Sequence, residues 1–343
     1  MRATLGEGNT PLIASVQIGP VLGLKSLFFK LESCNPSGSY KDRFIAGEIS
    51  RLLRVGATAC VATSSGNTGS ALAAYSARYS LKCAIVVNEH VPAGKLEQMQ
   101  AHGAQVFRVP GFTVSPSITT SVYGCLSLIS KQYGMPLVVS AYAFNPEGMS
   151  EVETIASEIT RQSSTAVDHV FVPVGGGGLF TAVCRGFRPH PLPRPRIHAV
   201  QPSGCSTVVS AFERGDNDIR PVESTTRISG LSVPFDIDAS LALEHLRQSG
   251  GCGFAVEDAE VFQAQHELLS REGIFCEPAG AASLAGLIRG LRHGVVSRDQ
   301  NVVCLVTGHG FKDPDSARQM GTSYPPVWVE EGQLKEKLLR MAM

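Results

Sequence analysis

The sequence predicts two α/β domains, each a parallel β-sheet flanked by helices, with a cleft between them. Three observations carry this reading. Short apolar runs alternate with longer Ala-rich stretches of helical periodicity, and strand followed by helix, repeated, builds a parallel sheet. The segments richest in glycine and hydroxyls follow apolar runs directly, which is where such sheets bind ligands. With 343 residues, the chain is long enough to divide into two domains.

Taken in order, 27–31 reads as a strand and Asn35-Pro36-Ser37-Gly38 as a turn after it. Ile45, Ile49, Leu52 and Leu53 recur at helical spacing, so a helix starts near Lys41. Strands are expected at 60–63, 83–87, 105–109 and 137–140, each of the first three followed by a helix: 68–79, 95–102 and 115–133. After Asn145-Pro146-Glu147-Gly148 the alternation resumes, with helix 151–162, strand 169–174, helix 179–186 and strand 197–201. Helices 257–271 and 279–292 and strand 301–306 follow. The segment 329–343 reads as an amphipathic helix suited to a partner subunit. We expect a smaller domain over 42–147 and a larger one from 1–41 plus 148–343.

Thirty basic and thirty acidic residues cancel, and no basic run or aromatic-basic interleaving argues for nucleic acid or an anionic membrane surface. Nine cysteines without a Cys-x-x-Cys pair sit mostly in apolar segments, the usage of a reducing compartment. The first ten residues are polar and Gly-rich, and no apolar stretch approaches membrane-spanning length. A cytoplasmic protein that binds small molecules and assembles as a homodimer is the expectation. The histidines show no metal-ligand spacing, so no catalytic metal is expected.

Four segments carry chemistry. Lys41 falls at a loop-to-helix junction, where the helix N-terminus disfavours a further positive charge and suits an amine to nucleophilic work; by itself the segment reads rather as a snorkelling surface lysine, and the segments that follow reverse that reading. Thr63-Ser64-Ser65-Gly66-Asn67-Thr68-Gly69 follows a strand and opens a helix, offering hydroxyls, an amide and backbone N–H groups to an anion, although a solvent-exposed N-cap has the same composition. Gly175-Gly176-Gly177-Gly178 is more telling, because four successive glycines suit backbone that must approach something closely. Between a strand and a helix that something is usually phosphate, and the Lys and Ser/Thr of a nucleotide-binding loop are missing. Thr307-Gly308-His309-Gly310 follows another apolar strand, with Thr307 placed to meet a ring nitrogen and His309 either catalytic or a loop filler.

Assembled, these segments resemble the threonine synthase-like members of the fold-type II (tryptophan synthase β-like) pyridoxal phosphate enzymes. The resemblance spans Gly6 to Leu12, Asn35 to Arg43, Lys95 with Gln98, Glu277-Pro278-Ala279 and Thr307 to Asp315. It implies pyridoxal 5'-phosphate as cofactor, an amino acid as small-molecule substrate, and carbon-oxygen lyase chemistry converting O-phosphohomoserine to threonine and phosphate. Lys41 would carry the cofactor covalently and act as catalytic base. Asn67 would meet the cofactor's phenolic oxygen, Gly175, Gly176, Gly177 and Gly178 its phosphate, and Thr307 its pyridine nitrogen. Ser64, Ser65, Gly66, Asn67 and Thr68 would receive the substrate carboxylate.

The chain departs from that family in two places. Its glycine loop is closer to the serine/threonine dehydratases, and the Arg and Lys that usually follow Asn145-Pro146 and help bind the substrate phosphate are missing. Instead, Glu147, Glu151, Glu153 and Glu158 follow. The alternative substrate is therefore a non-phosphorylated hydroxy or diamino acid, in a dehydratase-like or β-replacement reaction.

Overall fold

The computed structural model describes residues 2–64, 66–89, 91, 93–112, 115–322 and 325–342. Strands β1 Leu12–Ala14, β2 Ser26–Leu31, β7 His169–Pro173, β8 Arg196–Pro202, β9 Gly253–Val256 and β10 Asn301–Val306 form one sheet in the order β1-β2-β10-β7-β8-β9. Strands β3 Ala59–Ala62, β4 Lys82–Val87, β5 Gln105–Arg108 and β6 Leu137–Val138 form a second, in the order β5-β4-β3-β6. The smaller sheet is parallel throughout. In the larger one only β1 runs antiparallel, pairing Leu12 with Lys30 and Ala14 with Phe28 at the sheet edge. β10 lies between β2 and β7 and is buried on both faces, as its unbroken Val-Val-Cys-Leu-Val run requires.

Among the helices, α1 Ile18–Leu22, α2 Lys41–Arg54, α3 Asn67–Arg78, α4 Ala93–Ala101 and α5 Pro116–Tyr133 follow the early strands. α6 Pro146–Ser150, α7 Thr154–Gln162 and α8 Gly178–Phe187 lead into the second half. α9 Thr207–Arg214, α10 Ala239–Gln248, α11 Asp258–Glu272, α12 Pro278–Arg292, α13 Pro314–Gly321 and α14 Glu331–Ala342 complete the chain. The helix expected over 151–162 is two pieces, a 3₁₀ turn at Glu151–Glu153 and then α7, and the unexpected α6 precedes them. β1, α1, α9, α10, β9 and α13 were not expected; α9 and α10 flank a long loop rich in Pro, Ser and Asp, and β9 follows α10.

Both architectural expectations hold: two α/β domains, each with its own sheet. α2 packs against α3 and α6 yet is tied firmly to the larger sheet. The Arg43 guanidinium reaches Glu32 just past β2 through two 2.8 Å bonds and Glu158 on α7 at 2.6 Å, and Lys30 Nζ donates to Glu158 at 2.6 Å. Burial of two cations and two carboxylates is tolerable because the four satisfy one another. The Arg43 and Lys30 donors hold Glu158 down at about 2 against the desolvation that pushes it up. This network fixes the start of α2, two residues from Lys41.

Candidate active site

The carboxyl ends of β3, β6, β7 and β10 converge on one cavity of about 260 Å³. Lys41, at the first turn of α2, lines it half-buried, and its Nζ donates to Ser140 Oγ at 2.6 Å just beyond β6. The amine lies 4.6 Å from the centre of the Tyr40 ring. Opposite, Gly175–Gly178 lead from β7 into α8, so backbone alone lines that wall and helix N–H groups open toward the cavity. Gly177 has φ +100°, and a Cβ there would fall 2.4 Å from Asp238 O; only glycine fits. At Gly176 the nearest neighbour of an added Cβ is Val233 at 3.6 Å.

A third wall comes from Thr63, Ser64, Gly66, Asn67 and Thr68 at the start of α3. Asn67 Nδ2 donates to Glu277 Oε1 at 2.5 Å, while Asn67 Oδ1 is buried without a partner among the described residues. Glu277 is buried at the start of α12, and its other oxygen lies 3.0 Å from Lys95 Nζ on α4. Thr307, at the end of β10, completes the lining. Beneath the glycine loop, Asp238 accepts from Tyr142 N at 2.7 Å and Ala143 N at 3.1 Å, clamping the loop after β6; burial pushes its carboxyl up. Lys41 and Glu277 are the charged side chains among the described lining residues.

A primary amine without a carboxylate partner and a buried amide oxygen without a hydrogen-bond partner, both among the described residues, join a side-chain-free cradle at a helix start in a set of groups suited to a phosphorylated aldehyde cofactor. A family model described as pyridoxal-phosphate dependent enzyme matches residues 3–308. The chain belongs to the pyridoxal-phosphate-dependent enzymes. It is 36% identical over 335 residues to threonine synthase of Methanocaldococcus jannaschii, covering 95% of this chain and 80% of that one. It is 34% identical over 343 residues to threonine synthase of Mycobacterium bovis, covering 98% and 90%. These place it in the fold-type II group, closely related to threonine synthase, with an elimination or replacement reaction on an amino acid. Among solved structures, O-ureido-L-serine synthase superposes with a TM-score of 0.75 at 21% identity, covering 94% of this chain and 95% of that one. The processed threonine deaminase isoform 2 of Solanum lycopersicum gives 0.75 at 20% identity, covering 92% and 83%. These two share the fold.

The expected cofactor residues Lys41, Asn67, Gly175–Gly178 and Thr307 all line the one cavity, as do Ser64, Gly66 and Thr68; Ser65 lies outside the described residues. His309 does not line it. Its ring stacks on Phe311 at 5.0 Å and meets Phe275 edge-on at 5.5 Å, so it fills the loop. The four glutamates after Asn145-Pro146 also point elsewhere, which corrects the weight given to them as cavity charges. Glu147 pairs with Arg54, Glu151 with Arg2 at 3.2 Å, Glu153 accepts from Tyr142 Oη at 2.8 Å, and Glu158 sits in the Arg43 network. Gly148 approaches α2 so closely that an added Cβ would lie 2.9 Å from the Phe44 ring. Ser140, Ser229, Ser232 and the lining role of Glu277 were missed. Ser140 follows a strand and was open to the same rule that found Thr307, whereas Ser229 and Ser232 lie in an irregular loop that gives no signal.

Proposed function

We propose that the chain catalyses elimination or β-replacement on a small amino acid whose side chain ends in a hydroxyl or an amine and carries no phosphate. The observation that supports this reading is the charge lining of the cavity. Lys41 is its one cation among the described lining residues, and that amine is committed to the cofactor. Lys95 is paired with Glu277, and Lys312 donates to Gln98 Oε1 at 2.6 Å. A substrate phosphate bears nearly two charges, and desolvating it without a cation costs several kcal/mol. The threonine synthase reaction is the second reading, favoured by the names of the relatives.

When bound, pyridoxal phosphate supplies an electron sink next to the substrate's α-carbon. In our reading Lys41 holds it, the Gly175–Gly178 backbone and the α8 N-terminus bind its phosphate, and Asn67 and Thr307 meet its ring. Ser64, Gly66 and Thr68 with the α3 N-terminus bind the substrate carboxylate, and Lys41 Nζ takes the α-proton. Ser140 Oγ, 2.6 Å from that nitrogen, orients the amine and offers a path for the proton. Thr307 gives a neutral hydroxyl, which cannot hold a pyridine nitrogen protonated as a carboxylate would; this favours elimination and replacement over transamination. We assign residues 42–147 to the smaller domain and 1–41 plus 148–343 to the larger.

The test is turnover of O-phosphohomoserine, threonine, serine and 2,3-diaminopropionate side by side, following phosphate, keto acid and ammonia. Keto acid and ammonia from the unphosphorylated substrates, with little phosphate release, is expected. Efficient conversion of O-phosphohomoserine to threonine overturns the proposal and leaves the second reading.

A further inference from the structure

Glu277 stands between a buried lysine and the amide of Asn67, and the chemistry of its two oxygens decides how that amide faces. Lys95 and Glu277 are each 2% exposed, with Nζ 3.0 Å from Oε2. Lys95 Nζ also donates to Ser229 Oγ at 3.2 Å. A carboxylate paired with an ammonium offers acceptors only. The remaining oxygen, Oε1, therefore demands a donor from Asn67, and Nδ2 meets it at 2.5 Å. Asn67 is thereby fixed with its NH2 group on the Glu277 side, and its Oδ1 is left buried without a partner among the described residues. Leaving a buried carbonyl unpaired is unfavourable, so the orientation is imposed by Glu277 against the interest of the oxygen.

The backbone is shaped around the same contact. A Cβ on Gly308 would lie 2.2 Å from Glu277 Oε1 and 3.1 Å from Asn67 Nδ2. Glycine after Thr307 thus makes room for the carboxylate to reach the amide, which gives a physical reason for the Thr-Gly-His-Gly sequence that His309 does not supply.

We infer that Glu277 is a positioning residue of the cofactor site: held by Lys95, it sets which face of the Asn67 amide is turned to the bound pyridoxal phosphate, and with it the proton balance of the group Asn67 meets. Glutamine at 277 reverses the demand. Lys95 still needs an acceptor and takes the glutamine oxygen, so the glutamine NH2 faces Asn67, which turns its Oδ1 toward it. A donor and an acceptor then change places in front of the cofactor.

The experiment records the near-ultraviolet and visible absorption of the holoenzyme, whose two bands report the protonated and ionised forms of the cofactor's phenol. Five chains are compared: wild type, Glu277→Gln, Glu277→Asp, Asn67→Ala, and Glu277→Gln in the Asn67→Ala background. Glu277→Gln should change the band ratio about fivefold, the scale of one exchanged hydrogen bond. Glu277→Asp, which still offers only acceptors, should keep the wild-type ratio, and Glu277→Gln should change nothing once Asn67 is gone. If Glu277→Gln loses the cofactor while Glu277→Asp retains it, the requirement for an acceptor at 277 stands. Loss of the cofactor in both, an equal change in both, no change in Glu277→Gln, or the same change without Asn67 overturns the inference.

Discussion

Alanine at two adjacent glycines should separate what the loop does for the fold from what it does for the cofactor. At Gly177 the backbone has φ +100° and an added Cβ falls 2.4 Å from Asp238 O and 2.7 Å from Asp238 C. The left-handed conformation costs an L-residue about 1–2 kcal/mol, and the overlap with backbone that cannot swing aside adds about 1–3 kcal/mol. Gly177→Ala should therefore destabilise the cofactor-free chain by about 2–5 kcal/mol, lowering its melting temperature by roughly 3–7 °C. At Gly176 the nearest atoms to a new Cβ are Val233 at 3.6 Å and Ile237 at 3.7 Å, ordinary contacts with residues that themselves line the cavity. Gly176→Ala should leave that melting temperature unchanged or raise stability by up to about 1 kcal/mol through the unfolded state. Its methyl would instead obstruct the approach of phosphate to the loop. Losing one charge-assisted hydrogen bond, about 1.5–3 kcal/mol, raises the cofactor Kd by roughly 10- to 150-fold. Calorimetry of the cofactor-free chains and absorption titration with pyridoxal phosphate measure the two quantities. Wild-type cofactor affinity in Gly176→Ala refutes the loop as a phosphate cradle, and wild-type melting in Gly177→Ala refutes the conformational argument.

Two further predictions concern buried networks that hold the site. Arg43→Met leaves Glu32 and Glu158 facing Lys30 alone and should cost about 3–5 kcal/mol in urea unfolding; adding Glu32→Gln should recover part of it, and strict additivity would count against a shared network. The second concerns two buried imidazoles on β7 and β8. His198 Nδ1 accepts from Cys252 N at 3.0 Å, His198 lies 2.8 Å from His169 Nδ1, and His169 Nε2 is 2.9 Å from Gln300 Oε1, a chain that closes only with both rings neutral. Burial pushes His198 down to about 3 and lowers His169. Because the folded values are depressed, the unfolded chain binds more protons below the ordinary imidazole value. Stability should be level above about pH 6.5 and fall as pH drops from there toward 3. His198→Gln should make the urea midpoint less steeply dependent on pH over that window; an unchanged slope would remove the imidazoles from the account.

The sequence located the walls of the cavity because each follows a strand end in a parallel sheet, and Lys41, the Ser64–Thr68 stretch, the four glycines and Thr307 all obey that rule. It could not show direction. Glu147, Glu151, Glu153 and Glu158 looked like the charge of a substrate pocket because they follow Asn145-Pro146, but they turn instead onto Arg54, Arg2, Tyr142 and the Arg43 network. The same limit hid Glu277. Its partners Asn67 and Lys95 lie about 200 positions away in sequence, on the other sheet's helices, so nothing local marks it as more than the residue before a helix-starting proline. Ser229 and Ser232 reach the cavity from a loop without periodicity, which pattern reading does not resolve.

Whether Lys41 carries the cofactor is tested most directly by borohydride reduction of the holoenzyme followed by peptide mass spectrometry. Reduction should fix one phosphopyridoxyl group on the peptide that contains Lys41, and Lys41→Ala should remain unlabelled. A label on Lys95, Lys312 or any other lysine in the wild-type chain, or undiminished labelling of Lys41→Ala, would contradict the account.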